Sequence, residues 1–231
     1  DDAWTHYVVD GWLPSPNIEA VLVEENVTWV GTSSGLVARS GAQAARFAIG
    51  VPLAIQRSAS GVLWIGTTGG LVALADGGTP LDLSDDQVTY FTTGDGLTVS
   101  YVRELSIDSA GRVWCATSAG IAVLDPSGTP HDKTDDRWAS FTEGDGLAGD
   151  NANAIATEGS SRVWVVHEWD SVCCLDYAGT PFDKSDDAWA LFGEGSPVGT
   201  CSGYAVLVDA EGIKWFGLCP GLFAFDDGGT L

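Results

Sequence analysis

The sequence has few basic residues, no methionine and no long apolar run. Ten Lys and Arg residues stand against 32 Asp and Glu residues, which gives a net charge of −22 over 231 residues. Nucleic acids and anionic membrane surfaces both attract clustered positive charge, so neither is expected as a partner. No segment supplies the about 18 consecutive apolar residues that indicate a membrane-spanning helix, so membrane insertion is not expected either.

The chain also lacks the short motifs of several enzyme classes. It contains no Walker loop, no GxSxG nucleophile turn, no HExxH metal motif and no dinucleotide-binding fingerprint. Its five cysteines include no CxxC pair and no zinc-ligand spacing, and their odd number argues against a disulfide framework. The internal pattern of the chain is therefore the main source of information about its function.

A repeated pattern runs through nearly the whole chain. Tryptophan-containing runs recur at intervals of 50, 50 and 51 residues, after a first interval of 35. Their tryptophans are Trp29, Trp64, Trp114, Trp164 and Trp215. Between them recurs an acidic phrase of the form GTPxDxSDD or GTPxDxTDD, which starts at Gly78, Gly128 and Gly179. Repeats of this length indicate supersecondary units that pack on one another.

Each unit contains four runs with the character of β-strands. Around Trp114 they read SYVRELSID, GRVWCAT, GIAVLD and WASFTE, separated by Gly, Asp, Ser and Pro. Four short antiparallel strands in a unit of 40–50 residues are typical of a β-propeller blade. The sequence therefore predicts an all-β fold, a single five-bladed β-propeller over residues 1–231 with four antiparallel strands in each blade.

The N-terminal run matches part of the acidic phrase. DDAWTHY at the start of the chain aligns with DDAWALF, which begins at Asp186. We therefore expect the run WTHYV, Trp4 to Val8, to supply the outer strand of the last blade. Such a pairing closes the ring and removes an open sheet edge.

The repeats resemble those of the two-component-regulator propeller family. The likeness rests on VLWIGTTGGLVAL, FTTGDGL and VSYVRELSIDSAGRVW, and it extends over essentially the whole chain. Members of that family occur in the sensor portions of bacterial hybrid signalling proteins and in related secreted proteins. The resemblance thus implies a secreted or periplasmic, sensor-like protein.

One column of residues does not repeat. Near the start of each inner strand, beside a column of small residues, the chain carries Glu19, Leu53, Arg103, Asn153 and Tyr204. Packing alone would favour the same type of residue in every unit. Five different side chains at equivalent positions therefore indicate a surface that faces a ligand. The inner strands of a propeller converge on its channel. We predict ligand contacts by Glu19, Arg103, Asn153 and Tyr204.

Two more positions break the repeat. His167 stands where three other copies have Thr, and Glu104 interrupts the column of small residues. We name both as candidate catalytic residues, since a His can act as a base or ligand and a buried acid needs a cation, a donor or water. Trp169, in the same loop as His167, is a candidate for stacking on a sugar or aromatic ring. The alternative is that the altered sequence of this loop has no function, because exposed loops tolerate substitutions.

Five further candidates lie on the same predicted face. Asn17, Asn151 and Asp170 carry oxygen ligands of the kind that calcium prefers, and we name them as candidate metal ligands. Cys201 and Cys219 fall in the two loops of blade five and are candidate ligand contacts, either as free thiols or as a disulfide.

The acidic phrases have two interpretations. The next two copies also have Asp at the positions of Asp82, Asp85 and Asp86, with a Ser or Thr between the first and the second. Grouped carboxylates could bind calcium. The spacing differs from that of an EF-hand loop, however, and Asp and Ser also cap turns by bonding their own backbone.

These observations lead to a functional hypothesis with an alternative. The leading interpretation is an extracytoplasmic, monomeric propeller that binds a small molecule or oligosaccharide at the mouth of its channel. The alternative is a calcium-dependent hydrolase of esters, lactones or phosphotriesters, or a lyase, with its site in the channel.

Overall fold

The computed structural model describes residues 3–9, 11–169, 172–199 and 201–228, and nearly all their regular structure is β-strand. Two short 3-10 turns, Glu143–Asp145 and Lys184–Asp186, are the helical part of these residues. None of the described residues form a helix with the length and apolarity of a membrane span. The strands form five antiparallel sheets, and within each sheet they follow one another in chain order.

The first sheet contains β1 (Ile18–Val23), β2 (Thr28–Thr32), β3 (Gly35–Ser40) and β4 (Gln43–Phe47). The second contains β5 (Pro52–Arg57), β6 (Leu63–Thr67), β7 (Gly70–Ala75) and β8 (Gln87–Phe91). The third contains β9 (Val102–Ile107), β10 (Val113–Thr117), β11 (Gly120–Asp125) and β12 (Arg137–Phe141). The fourth contains β13 (Ala152–Glu158), β14 (Arg162–His167), β15 (Val172–Asp176) and β16 (Ala188–Phe192). The fifth contains β17 (Gly203–Val208), β18 (Lys214–Leu218) and β19 (Gly221–Phe225).

The first strands of the sheets pack against one another in series. β1 packs on β5, β5 on β9, β9 on β13, and β13 on β17. The sheets are therefore successive blades with their first strands innermost, and we call them blades one to five. This confirms the prediction of an all-β propeller with five blades.

A tryptophan in the second strand anchors the core of blades one to four. Trp29, Trp64, Trp114 and Trp164 are at most 1% exposed. Each packs against a phenylalanine of its own fourth strand, with ring centroids 5.5–5.8 Å apart. Each also packs among the apolar side chains of the following blade. Because one large ring is buried between two sheets, the tryptophan is required in every repeat.

Small residues let neighbouring blades approach closely near the axis. A Cβ atom added at Gly66 would lie 2.8 Å from Val102 of the next blade, and one at Gly203 would lie 2.6 Å from Val166. Protein interiors pack too densely to absorb such overlaps without movement. The inner ends of the strands are therefore held at short, fixed distances, which allows side chains of different blades to meet.

The fifth blade differs from the sequence prediction. Its described residues form three strands, and residues 3–9 form no strand. Trp4, which the repeat aligns with the outer strand, is 98% exposed. Tyr7 packs edge-on against Trp12 at 5.4 Å, and the Arg39 guanidinium of blade one lies 4.4 Å from both ring centroids. The predicted closure by the N-terminal run is thus not formed, because aromatic and cation–π contacts hold that run on blade one.

Candidate ligand-binding site

The column of non-repeating residues coincides with a β-bulge in every blade. In each pairing of the first two strands, one residue of the first strand is extra, so that the register shifts by one. The extra residues are Glu19, Leu53, Arg103, Asn153 and Tyr204. A bulge leaves its extra residue outside the regular ladder and re-aims the side chain. These positions can therefore vary without disturbing the blade.

Arg103 reaches across from blade three to blade four. Its Nη1 donates hydrogen bonds to Asn151 Oδ1 at 2.5 Å, to Asn153 Oδ1 at 2.9 Å and to the Ala152 carbonyl at 3.3 Å. All three acceptors are neutral amide oxygens. The structure thus brings together two predicted ligand-binding residues, Arg103 and Asn153, and the predicted metal ligand Asn151.

The two asparagines extend this network in opposite directions. Asn153 Nδ2 donates to the Gly203 carbonyl of blade five at 2.8 Å. Asn151 Nδ2 donates to Glu168 Oε2 in the hairpin that joins β14 to β15. The carboxylate of Glu168 is therefore linked to Arg103 through an amide and does not pair with it directly.

Arg103 forms no ion pair with any residue in the described ranges. Most other basic side chains do: Arg57, Arg112, Lys133, Arg162, Lys184 and Lys214. Neutral oxygens do not compensate the positive charge of a guanidinium. The charge and the remaining N–H donors are therefore available to another partner. That arrangement suits the recognition of a carboxylate, sulfate or phosphate group.

Three exposed aromatic rings belong to the loops and bulges of blades three to five. Tyr101 is 43% exposed, and the Arg103 guanidinium lies 5.8 Å from its ring centroid. Tyr204 is 66% exposed and Trp169 is 70% exposed. Trp169 also has a φ of 75°, a region that bulky residues rarely adopt. Residues held in such sparsely populated backbone regions cluster at active sites and ligand clamps.

The hairpin of Trp169 is one residue longer than its counterparts. Val166 pairs with Val172, six positions later, whereas Gly66 pairs with Leu71, five positions later. In blades one to three a threonine closes this turn by donating its hydroxyl to the carbonyl three residues on and accepting the N–H two residues on. Those threonines are Thr32, Thr67 and Thr117. The repeating threonine is therefore a turn residue, and the longer turn of blade four does without it.

His167, which replaces that threonine, lies in the interior. Its side chain is fully buried, and Nε2 lies 3.2 Å from Cys173 Sγ. Burial lowers the pKa of His167 to about 4, so the imidazole is neutral at pH 7. The sequence prediction placed His167 at the channel mouth, whereas the structure packs it between strands, out of reach of solvent.

The other candidates are dispersed. Burial raises the pKa of Glu104, whose Oε1 accepts a hydrogen bond from its neighbour Leu105 N. Asn17 and Glu19 lie exposed in blade one, and no hydrogen bond within the described part of the chain joins them to Arg103. Asp170 falls outside the described residues. The three predicted metal ligands are thus not seen as one group.

The two cysteines of blade five carry free thiols. Cys219 is exposed, and its Sγ lies 3.5 Å from the Tyr204 hydroxyl, which lowers the pKa of the thiol and raises that of the phenol. Cys201 is half-buried, and its Sγ lies 3.6 Å from the Val198 carbonyl. Cys219 therefore lies beside a bulge residue of the site.

Sequence reasoning missed two contributors. Glu168 accepts a hydrogen bond from Asn151, a contact that the sequence pattern does not indicate. Tyr101 was not singled out, although it occupies the same place as Asn17 and Asn151, two positions before the bulge. Comparison of that column would have found it, since Tyr101 is the aromatic residue in a column that otherwise reads Asn17, Val51, Asn151 and Ser202.

The acidic phrases are held together by their own hydrogen bonds. Asp82 Oδ1 accepts from Ser84 N and Oγ at 3.0 and 2.6 Å, and Asp85 accepts the Thr79 hydroxyl. The equivalent residues of the next two copies repeat both contacts. These bonds are those of turn capping, the second of the two sequence interpretations. Across the described ranges, no group of three or more His, Cys, Asp or Glu residues is arranged to hold a metal ion.

The last acid of each phrase has a different environment. Burial and neighbouring carboxylates raise the pKa of Asp86, Asp136 and Asp187, in the last two cases to about 6. Oxygen atoms of all three are buried with no hydrogen-bond partner in the described structure. In each acidic loop, therefore, the first two Asp residues cap turns, whereas the last Asp is disfavoured by burial and by neighbouring negative charge.

Comparison with known proteins supports the architecture. No family model and no curated protein matches the chain. Its fold is similar to that of PorZ, a surface component of the type-IX secretion system of Porphyromonas gingivalis, with a TM-score of 0.70 and 17% identity over 94% of this chain and 33% of that one. The chain is a β-propeller.

Two other solved structures show the same fold. The extracellular domain of the hybrid two-component system BT3049 of B. thetaiotaomicron gives a TM-score of 0.62 at 18% identity, over 91% of this chain and 28% of that one. Virginiamycin B lyase of Staphylococcus aureus gives 0.60 at 11% identity, over 91% of this chain and 70% of that one. The propeller thus spans about a third of the length of PorZ and of the BT3049 domain. At these identities the likeness concerns the fold alone.

Proposed function

We propose that the propeller is an extracytoplasmic, sensor-type module that binds an anionic small molecule or acidic oligosaccharide. The observation that carries this is the Arg103 guanidinium, which Asn151 and Asn153 hold and which has no carboxylate partner among the described residues. In a chain with net charge −22, a cation that forms no ion pair with any described residue is a selective site for an anionic group.

The exposed aromatic rings support a second feature of the proposed ligand, which is a ring of its own. Trp169 and Tyr204 are 70% and 66% exposed, and Tyr101 flanks Arg103. Aromatic faces stack on sugar rings and on other aromatic rings, and a fixed backbone reduces the entropy lost on binding. A ring that bears a carboxylate or sulfate group satisfies both the guanidinium and these faces.

The cellular location of proteins with a similar fold supports the proposed extracytoplasmic location. The BT3049 domain is an extracellular part of a hybrid two-component system, and PorZ is a bacterial surface component. The sequence resemblance to two-component-regulator repeats agrees with this. A sensor module of that kind would report ligand binding through the blades that the Arg103 network connects.

Calorimetric titration with matched ligands tests the proposal. Cellobiose and cellobiouronic acid differ by one carboxylate, and 4-hydroxybenzoate and its amide form an aromatic pair. We expect the acidic member to bind and the neutral member to bind more weakly. Arg103→Gln should weaken acid binding about 10- to 150-fold, since a charge-assisted hydrogen bond contributes roughly 1.5–3 kcal/mol.

Arg137→Gln provides the matched control. Arg137 also forms no ion pair in the described structure, and it lies in the outer strand β12 with its guanidinium 4.1 Å from the Phe182 ring. Its substitution should leave affinity unchanged. Equal affinity for the acidic and neutral members, or failure of a wider array of acidic oligosaccharides and aromatic acids to bind, would contradict the proposal.

The alternative of a calcium-dependent hydrolase or lyase stays a prediction. Its assigned base, His167, is buried, and its assigned ligands Asn17 and Asn151 lie in different blades, with Asn151 bonded to a cation. Ester and lactone hydrolysis that is lost in Glu104→Gln and on chelation of calcium would establish the alternative instead.

A further inference from the structure

Ion pairs recur where consecutive blades meet. The contacts between blades one and two, three and four, and four and five each contain a basic side chain that lies 2.6–2.9 Å from an acid. The pairs are Arg57 with Glu24, Arg112 with Asp108, and Lys214 with Glu158. Each of these acids also accepts the indole N–H of a core tryptophan: Trp29, Trp114 and Trp164. A tryptophan, an acid and a cation therefore form one repeated arrangement.

The contact between blades two and three has neither the acid nor the cation. Ser58 occupies the position of the acid, six residues before Trp64, and Val62 occupies the position that Arg112 has in blade three. Ser58 Oγ bonds the Val62 backbone rather than the Trp64 indole. Arg57, the neighbour of Ser58, is paired with an acid of blade one. The repeated arrangement is thus reduced to its tryptophan at this contact.

A cavity of about 260 Å³ lies at the same contact. Its lining includes Ser58 and Trp64 of blade two and Ala110, Asp125, Pro126 and Gly128 of blade three. Ala110 and Gly128 are exposed, whereas Trp64 is 1% exposed, so the cavity leads from the surface to the core tryptophan. A water molecule occupies about 30 Å³ in the liquid, so the cavity can hold a small organic molecule.

The lining matches the surroundings of the Arg112 guanidinium one contact further on. Arg112 Nη1 donates to the Gly179 carbonyl at 2.9 Å, and Nη2 donates to the Ser160 carbonyl at 2.8 Å. In the repeat, Gly128 corresponds to Gly179 and Ala110 corresponds to Ser160. Both residues line the cavity. The counterparts of the two groups that bond a guanidinium are therefore present where the chain supplies no arginine.

A proline contributes to the space at this contact. Pro126 corresponds to Tyr177 of blade four, whose ring lies 5.1 Å from the Arg112 guanidinium. Tyr177 N also donates to the Ser161 carbonyl at 2.8 Å, which ties its loop to the preceding turn. Proline has no N–H and a smaller side chain, so it can neither form that bond nor fill the volume of the tyrosine.

Asp125 supplies a negative charge to the cavity. Its Oδ1 accepts the Ser127 N–H at 3.0 Å, and no basic residue in the described ranges forms an ion pair with it. Its counterpart in blade four, Asp176, pairs with Arg162 at 2.9 Å. A carboxylate, carbonyl oxygens and an indole are the groups that recognise a guanidinium.

We infer that the cavity between blades two and three binds the guanidinium group of a small alkylguanidine, in the place that Arg112 occupies one contact further on. Asp125 compensates its charge, and the carbonyl groups of Ala110 and Gly128 accept its N–H groups. The net charge of −22 favours a cationic ligand. This site is separate from that of Arg103, because the two lie at opposite ends of β9 and select groups of opposite charge.

Calorimetric titration with ethylguanidinium and its neutral isostere ethylurea tests the inference. We expect saturable binding of ethylguanidinium and binding of ethylurea that is weaker by about 10-fold or more, since hydrogen bonds to charged groups are the stronger ones. Asp125→Asn should weaken ethylguanidinium binding by about 10-fold for the same reason. Glu25→Gln removes one charge from the exposed equivalent turn of blade one and should leave the affinity unchanged.

A double variant tests the position of the bound group. Ser58→Asp combined with Val62→Arg places the acid and the cation of blade three in blade two, so the chain's own guanidinium should occupy the cavity and abolish binding. Arg103→Gln should bind ethylguanidinium like the wild type. The inference is overturned by a wild type without saturable binding, by equal affinity for ethylurea, or by full affinity in Asp125→Asn. Binding that persists in the folded double variant would also overturn it.

Discussion

Arg103 and Asn153, fifty positions apart, are each the extra residue of a β-bulge, and a 2.9 Å hydrogen bond joins them across two blades. The same asparagine donates to the Gly203 carbonyl of blade five. A single amide thus joins three blades at the point where the ligand is proposed to bind. A ligand bound at Arg103 would therefore contact a hydrogen-bond network that joins these three blades.

We predict that Asn153→Ala destabilises the protein and weakens ligand binding together. The substitution leaves the Gly203 carbonyl and one Arg103 donor without this partner, which should cost about 1–3 kcal/mol of unfolding free energy. Urea denaturation measures the stability and calorimetry the affinity. Asn17→Ala, at an exposed asparagine of blade one, should change neither. Loss of stability with unchanged affinity would show that Asn153 does not orient Arg103.

We predict that His167 makes the protein sensitive to mild acid. Its pKa is about 4 in the fold and 6.5 as an ordinary histidine, so the unfolded chain takes up the proton first. The stability that the neutral imidazole contributes is complete above pH 6.5 and is lost as the pH falls towards 4. The loss is on the order of 3 kcal/mol.

His167→Leu should remove this dependence, since Leu218 occupies the same register in blade five. The difference in unfolding free energy between wild type and variant should change between pH 6.5 and 4. His6→Gln, at an exposed site, should follow the wild-type profile. Parallel profiles for wild type and His167→Leu would show that the imidazole is not buried as described.

We predict that Asp136→Asn stabilises the protein at pH 8. The pKa of Asp136 is about 6, above its usual 3.8, so its charge opposes folding above pH 6 and the effect vanishes below pH 4. Asp136 is only half-buried as a residue, so solvent reduces the effect, and the rise in melting temperature should be on the order of 2 °C. Asp132, whose pKa is lowered by the Thr134 hydroxyl, is the matched control.

Asp132→Asn should lower the melting temperature at pH 8, because it weakens the turn cap. Both substitutions remove one charge from the same loop, so a shift of equal sign in both would indicate a general effect of net charge. Repeating the scan with calcium separates the two interpretations of the acidic phrase. A large calcium-dependent rise that Asp136→Asn abolishes would favour an ion site.

We predict that Gly203→Ala and Gly217→Ala have opposite effects. A Cβ at position 203 would lie 2.6 Å from Val166, whereas one at position 217 would lie 3.5 Å from Ala205, an ordinary contact. The first should cost about 1–3 kcal/mol by separating blades four and five. The second should be neutral or stabilising by about 0.4–1 kcal/mol, through the less flexible unfolded chain. Urea denaturation distinguishes them, and equal effects would mean that the blades are not in close contact at Val166.

Repetition explains which parts of the structure were predictable. Trp64 and Trp114 recur because each ring is buried between two sheets, and a requirement repeated in every blade leaves a visible pattern. The bulge column was detectable for the opposite reason, since Arg103 and Asn153 break a pattern that packing otherwise enforces. The bulge itself was not visible, because a register shift leaves no residue type as its signature.

His167 shows the limit of that reasoning. Three other copies carry Thr at this position, and its replacement by His was taken as the sign of a functional residue. Thr67 and Thr117 in fact close turns, and His167 is buried. The threonines of this column are themselves at most 2% exposed, so the position faces the interior in blades one to four, and the sequence pattern does not reveal this.

The sequence by itself determined the strands, the number of blades and the column of variable positions, because those follow from short-range alternation and from packing that every repeat shares. Only the tertiary structure decided that Arg103 bonds Asn151 and Asn153, that His167 is buried, and that Tyr7 packs on Arg39 of blade one. Each of these depends on the distance and orientation of neighbouring blades. Those are set by close contacts between residues far apart in the chain, such as Gly203 and Val166.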